Sequence, residues 1–218
     1  MKTRALRLAH LLVVSATLSQ AQHGQPLFAS PDFNPALVDW VSVFVVDLNK
    51  DEANNKECIG AAAYGQANGA LGALGSLNKR GYSRKGKVRE NTRLYETQTN
   101  PSADMLANPT KEWLQDVATR KYLDRKGKEV PPPERWIMFI TIDELGSRQN
   151  AIKGLGRAAL SMYLYDREQG TLLWHDQASD EHMWGGLMGN LMDKGMIKAD
   201  ACATLAERMI FRLPKRKR

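Results

Sequence analysis

Cysteine, aromatic residues and recognisable catalytic signatures are all scarce in this chain. Only Cys58 and Cys202 stand in 218 residues, which excludes a framework of several disulfides and leaves room for a single bridge. Aromatic residues make up 7%, and the most basic stretch holds only Tyr82 and Tyr95. That is too few for a base-stacking platform, so no nucleic-acid partner is expected. No GxSxG, HExxH, P-loop or Rossmann fingerprint occurs. Gly154-Leu155-Gly156 carries two glycines and precedes a predicted strand rather than a helix, which makes a poor phosphate cradle. No cofactor is expected. The apolar run from Leu8 to Leu18 is too short to span a bilayer as a permanent helix.

What the chain does have begins at residues 1–21. Lys2, Arg4 and Arg7 form a basic start, Leu8–Leu18 is apolar apart from His10, Ser15 and Thr17, and Ser19-Gln20-Ala21 supplies a small-x-small cleavage pattern. This three-part layout predicts a secretory signal peptide. The mature chain is expected to begin near Gln22 and to work outside the cytoplasm. No Cys follows the cut to take a lipid. In an oxidising compartment the two cysteines suggest a bridge, whereas in a reducing one both are small buried side chains. Cys58 and Cys202 are expected to come together, one at the start of a Gly-rich helix and the other on the apolar stripe of the last helix.

The formal net charge is +7 and the isoelectric point about 9.4, but the excess is local. Three of the 31 Lys and Arg lie in the first seven residues and four are the final four; the remainder balances the 24 Asp and Glu. The body is therefore nearly neutral. Its basic residues gather in Lys79, Arg80, Arg84, Lys85, Lys87, Arg89 and Arg93, and in the tail Lys215, Arg216, Lys217 and Arg218. For an exported chain the matching anion is a membrane surface or an envelope polymer; the plain alternative is a solvated surface.

Along the chain, residues 22–37 carry Pro26, Pro31 and Pro35 and read as an extended lead-in. Val38–Leu48 is apolar at nearly every position, as in a buried strand. Residues 59–78 lack charge and repeat Gly at 60, 65, 69, 72 and 75, which predicts a helix with a small-residue face ending at Lys79-Arg80-Gly81. A short strand is expected at 92–96 and a Thr-capped helix at 110–122. Arg135–Leu145 predicts a strand, and Ala158–Asp166 with Thr171–His175 a hairpin around Gly170. Two helices follow, over 180–194 and 200–211. This order predicts an α/β (or α+β) fold: one domain over 38–213, a mixed sheet covered by helices, with a C-terminal helix, followed by a basic tail at 214–218.

The densest chemistry is His175-Asp176-Gln177-Ala178-Ser179-Asp180-Glu181-His182. His175, Glu181 and His182 are candidate metal ligands of a metal-assisted hydrolase, although their spacing matches no closed metal motif. The plain alternative is a polar loop whose acids sit at a helix N-terminus. Asp143 and Glu144 form a lone acidic pair at an expected strand end, with no partner nucleophile.

Tyr163 to Trp174 reads as a strand ending in Asp166, a turn containing Gly170 and a strand ending in Trp174. This hairpin is similar to that of the TolB amino-terminal-like group, which includes curli-secretion and penicillin-binding-protein-activator envelope proteins. The strand Val41–Asp47, the helix after it and Arg80-Gly81-Tyr82 also resemble the opening unit of that group. The resemblance implies a non-enzymatic α/β domain in the bacterial periplasm or at the outer membrane, with envelope protein partners and no shared catalytic residues.

Overall fold

Alternation along the strands sorts the apolar residues into two sets, one for each face of a sheet. A computed structural model describes residues 26–38, 41–48, 77, 80–82, 94–96, 101–123, 127–130, 132–149, 153–185 and 194–216. Its strands are β1 (Phe28–Ala29), β2 (Val41–Asp47), β3 (Leu94–Glu96), β4 (Tyr122–Leu123), β5 (Glu129–Val130), β6 (Trp136–Gln149), β7 (Lys153–Asp166) and β8 (Thr171–Gly185). Its α-helices are α1 (Ala103–Ala107), α2 (Lys111–Thr119) and α3 (Lys194–Ile210). Six strands form one sheet in the order β1-β8-β7-β6-β2-β3, and β4 pairs with β5 separately. β2 runs parallel to β3 and β6, while β6, β7 and β8 form an antiparallel meander. The result is the expected single-domain α/β fold with a mixed sheet and a C-terminal helix.

Val41, Val43, Met138, Ile140, Leu160, Met162, Leu164 and Trp174 point to one face, where α3 brings Ala201, Cys202, Leu205, Ala206 and Met209. Those helix residues recur three to four apart, so they share one stripe. Phe44, Val46, Ile137, Phe139, Tyr163 and Tyr165 point to the other face and pack with Leu106 of α1, Leu114 and Val117 of α2, and Tyr122. Ser102 caps α1 by accepting from Met105 N–H at 3.2 Å, and Thr110 caps α2 by accepting from Trp113 N–H at 3.1 Å. Among the described residues no helix is long and apolar enough to cross a membrane.

The β7–β8 turn shows why Asp166 and Gly170 stand where they do. Asp166 is buried, takes the Arg135 guanidinium at 2.6 Å, and accepts from the Glu168 N–H at 3.0 Å. Gly170 holds φ at +73°, and a Cβ there would lie 2.9 Å from Lys111 Cβ.

Several expectations need correction. The segment from Asp180 is no helix start: β8 continues to Gly185 and is held in register by β7 from Asp166↔Thr171 to Lys153↔Gly185, with only Leu173 left out, at a bulge beside Leu164. Cross-strand pairing overrides the local helical preference there. β6 and β7 are likewise longer than expected, and α3 begins at Lys194 rather than Asp200. Within the lead-in, β1 pairs with β8 and Pro35–Leu37 makes a 3-10 turn. The Gly-rich helix falls outside the described residues except for Leu77, which is buried in helical backbone. The signal peptide also lies outside them.

Gly156 sets how closely α3 approaches β7. A Cβ there would stand 2.5 Å from the Ile197 carbonyl oxygen and 2.9 Å from Ala201 Cβ. Gly156→Ala is expected to cost about 2 kcal/mol in urea unfolding, because the obstacle includes helix backbone. Gly146→Ala meets nothing within 4 Å and should shift stability by less than about 0.5 kcal/mol. Equal effects from the two substitutions would contradict this packing.

Candidate functional site

β8 is polar on both faces, and each face has a different destination. Asp176, Asp180 and His182 face α3. Arg212 Nη1 stands 3.0 Å from Asp176 Oδ2, Arg208 bonds Asp180, and His182 Nε2 lies 3.6 Å from Asp200 Oδ2. Strand residues 182 to 176 span about 20 Å, and helix residues 200 to 212 about 18 Å. The two elements run antiparallel over similar lengths, which lets three pairs form along them. Asp176 is fully buried. Burial pushes its carboxyl above the ordinary aspartate value; the charge and hydrogen bond of Arg212 oppose this, as do the Gln177 and Leu27 N–H groups.

The same carboxylates finish the outer edge of β8. Ser30 N–H donates to Leu173 O at 2.9 Å, so the odd-numbered backbone groups that follow face away from β7. Gln177 N–H donates to Asp176 Oδ1 at 3.0 Å and Glu181 N–H to Asp180 Oδ1 at 2.9 Å. Two outward amides are thereby occupied, which blunts the edge against strand pairing.

The opposite face carries His175, Gln177, Ser179, Glu181 and Met183. His175 stacks on Tyr163 with ring centroids 4.4 Å apart. Burial pushes the His175 pKa down, and Asp143 opposes that shift. Its Nε2 is buried and meets no hydrogen-bond partner among the described residues. Asp143 sits at a β-bulge between Ile142 and Glu144. It accepts from Thr141 Oγ1 at 2.6 Å and Ser161 Oγ at 2.5 Å. Because Ser161 donates to a carboxylate and not to an imidazole, its hydroxyl is not set up as a nucleophile in the usual pairing. Further out, Arg157 Nε meets Glu144 Oε1 at 3.3 Å. A cleft of about 400 Å³ opens there, lined by Glu144, Gly146, Arg148, Leu155, Arg157 and Glu181. Among the described residues, the apolar contacts of α1 and α2 on this face include Tyr163 and Tyr165. Beyond them Glu144, Arg148, Arg157, Gln177, Ser179, Glu181 and Met183 are exposed. The outer halves of β6, β7 and β8 thus present an open platform of alternating charge.

This geometry dissolves the expected His175/Glu181/His182 cluster. His175 and Glu181 share a face but stand six residues apart on an extended strand, about 20 Å, and His182 points to the other face. Among the described residues no group of three or more His, Cys, Asp or Glu could hold a metal ion. Asp143 and Glu144 lie within β6, not at a strand end. Cys202 is buried with its thiol free, and Cys58, the other end of the expected bridge, lies outside the described residues. Arg80, Lys215 and Arg216 are brought together, while Lys79, Arg84, Lys85, Lys87, Lys217 and Arg218 lie outside.

Arg208, Arg212, Thr141 and Ser161 escape sequence reasoning. A signal existed for the first two: Asp176 and Asp180 stand four apart, as do Arg208 and Arg212. Reading residues 180–194 as a helix hides it.

No family model matches the chain, and no curated protein matches it. Among solved structures it is similar to a PelC dodecamer from Paraburkholderia phytofirmans, with 11% identity, TM-score 0.41, 88% of this chain and 96% of that one covered. It is also similar to the lipoprotein GNA1162 from Neisseria meningitidis, with 16% identity, TM-score 0.34 and coverage of 72% and 90%. A third is the hypothetical protein CT253 from Chlamydia trachomatis, with 11% identity, TM-score 0.36 and coverage of 81% and 96%. None of these three carries the TolB-type name, and likeness at this level supports no transfer of residue roles.

The buried pair makes a direct prediction. Arg212→Ala strands the Asp176 carboxylate and should cost about 3 kcal/mol. Adding Asp176→Asn should restore a large part of that loss, as read by denaturant unfolding of both variants. A double variant no more stable than Arg212→Ala alone would contradict the coupling.

Proposed function

We propose that the chain is an exported, non-enzymatic interaction or assembly-accessory protein of the bacterial envelope, acting in the periplasm or at the outer membrane. The observation that carries this reading is the open face of β6, β7 and β8. Three strands of 14, 14 and 15 residues build a rigid surface whose inner half is covered by helices and whose outer half is exposed. Rigid, preformed surfaces bind with little ordering cost. The exposed charges alternate in sign, with Arg148 and Arg157 beside Glu144 and Glu181, which suits a protein surface of mixed charge better than a uniform polyanion. The blunted β8 edge supports recognition through side chains of the face instead of strand addition. The export signal read from residues 1–21 supplies the compartment.

The test is site-directed photo-crosslinking in envelope preparations. A photoreactive residue at Ser179 or Glu181 is expected to capture a discrete protein partner, whereas one at Lys111 or Glu112, on the exposed side of α2, is not. Absence of adducts at both platform positions, or equal adducts at α2, would overturn the reading.

A further inference from the structure

Two basic stretches far apart in sequence meet at the C-terminal end of α3. The Arg80 guanidinium donates to the carbonyl oxygens of Phe211 and Leu213, just past the end of α3. The Tyr82 hydroxyl donates to Pro214 O at 2.6 Å, and Arg216 N–H donates to Arg80 O at 3.1 Å. Gly81, with φ at +91°, lies so near the tail that a Cβ would come within 3.1 Å of Arg216 Cβ. Arg80-Gly81-Tyr82 thereby fastens residues 211–216 to the body. The charges of Arg80 and Arg216 both bear on the Tyr82 hydroxyl, whose pKa burial nevertheless raises.

This corner has two surface properties. Among the described residues no carboxylate pairs with Arg80 or Lys215: the bonds of Arg80 go to carbonyls, which orient a guanidinium without neutralising it, and Lys215 is exposed. Lys217 and Arg218 follow in sequence. The second property is apolar. Phe211 is 42% exposed, with the Arg80 guanidinium carbon 5.6 Å from its ring centroid. An exposed aromatic ring among cations suits the headgroup–acyl boundary of a membrane, where phosphates take the charges and the ring leaves water. A soluble polyanion would use the charges alone, and a nucleic acid would call for a series of stacking rings that is absent among the described residues of this patch.

We propose that this corner is a peripheral contact for anionic lipid: Arg80 and Lys215 meet headgroup phosphates and Phe211 enters the interface. The contact goes beyond the partner-binding reading and shares no residue with the open platform. It is a weak, reversible and salt-sensitive attachment, since a few charges and one ring are far short of a permanent anchor.

The experiment is flotation of the full chain with vesicles of phosphatidylcholine alone or mixed with phosphatidylglycerol. Parent and variants share the apolar segment at residues 8–18, so the ratio between them reports this corner. The parent is expected on the mixed vesicles, with loss as salt rises from about 50 to 500 mM. Lys215→Glu with Arg216→Glu is expected to weaken binding at least about 10-fold. Phe211→Ser, which leaves every charge in place, is expected to weaken it about 3-fold or more. Lys111→Glu with Lys128→Glu, the same charge change at exposed positions in α2 and the β4–β5 hairpin, should leave it unchanged. Should the tail reversal fail to fold, Lys215→Gln with Phe211→Ser takes its place. Equal loss from the distant pair, variants that float as well as the parent on the mixed vesicles, or no flotation at low salt would overturn the proposal. So would binding of inorganic polyphosphate that is indifferent to Phe211→Ser and accompanied by no vesicle binding.

Discussion

The docking of α3 on the β6–β8 meander is the constraint on which the rest depends. It combines three contacts of different kind. An apolar stripe from Ala201 to Met209 closes over Met162, Leu164 and Trp174; Gly156 removes the side chain that would hold the helix off; and Asp176 and Asp180 take Arg212 and Arg208. The apolar contact supplies most of the free energy, roughly 1.5–3 kcal/mol for each large side chain buried. The ion pairs add less, because removing Asp176 from water offsets much of what Arg212 returns. Their effect is positional, since a buried carboxylate has one acceptable partner and so fixes the helix along its axis.

Fixing α3 in this way divides the labour between the sheet faces. With one face sealed, the alternation of β8 sends every second polar side chain to the other, where His175, Gln177 and Glu181 join Ser161, Asp143 and Arg157. The inner part of that face is closed by α1 and α2, and the outer part stands open. The blunted β8 edge has the same origin, because the aspartates that hold α3 also accept the Gln177 and Glu181 amides.

How far this was legible in the sequence depended on whether local pattern or distant pairing decides each element. The apolar run of β2, the Thr110 cap, the Asp166–Gly170 turn and the stripe of α3 are local signals, and each led to the right element. The second half of β8 is different. Its residues are polar and compatible with a helix, and it becomes a strand only because β7 holds it in register across its length. The misplacement of His175, Glu181 and His182 followed directly, since a helix would have allowed a convergence that an extended strand forbids. The junction of Arg80 with Arg216 was invisible for a related reason: both stretches looked basic, but nothing local places residue 80 beside residue 216. The candidate platform, being made of small and charged residues drawn from three strands, leaves no motif at all.

Methionines on both faces offer the most direct test of the central claim, that α3 seals one side of the meander while the other stays open. Met183 is 56% exposed on the open face, while Met138, Met162 and Met209 are fully buried on the sealed one. In mild peroxide oxidation of the native protein followed by peptide mass spectrometry, Met183 should convert rapidly. Met138, Met162 and Met209 should convert only at the rate of global unfolding. Protection of Met183 to the level of Met162, or rapid oxidation of Met209 in the native state, would contradict the account.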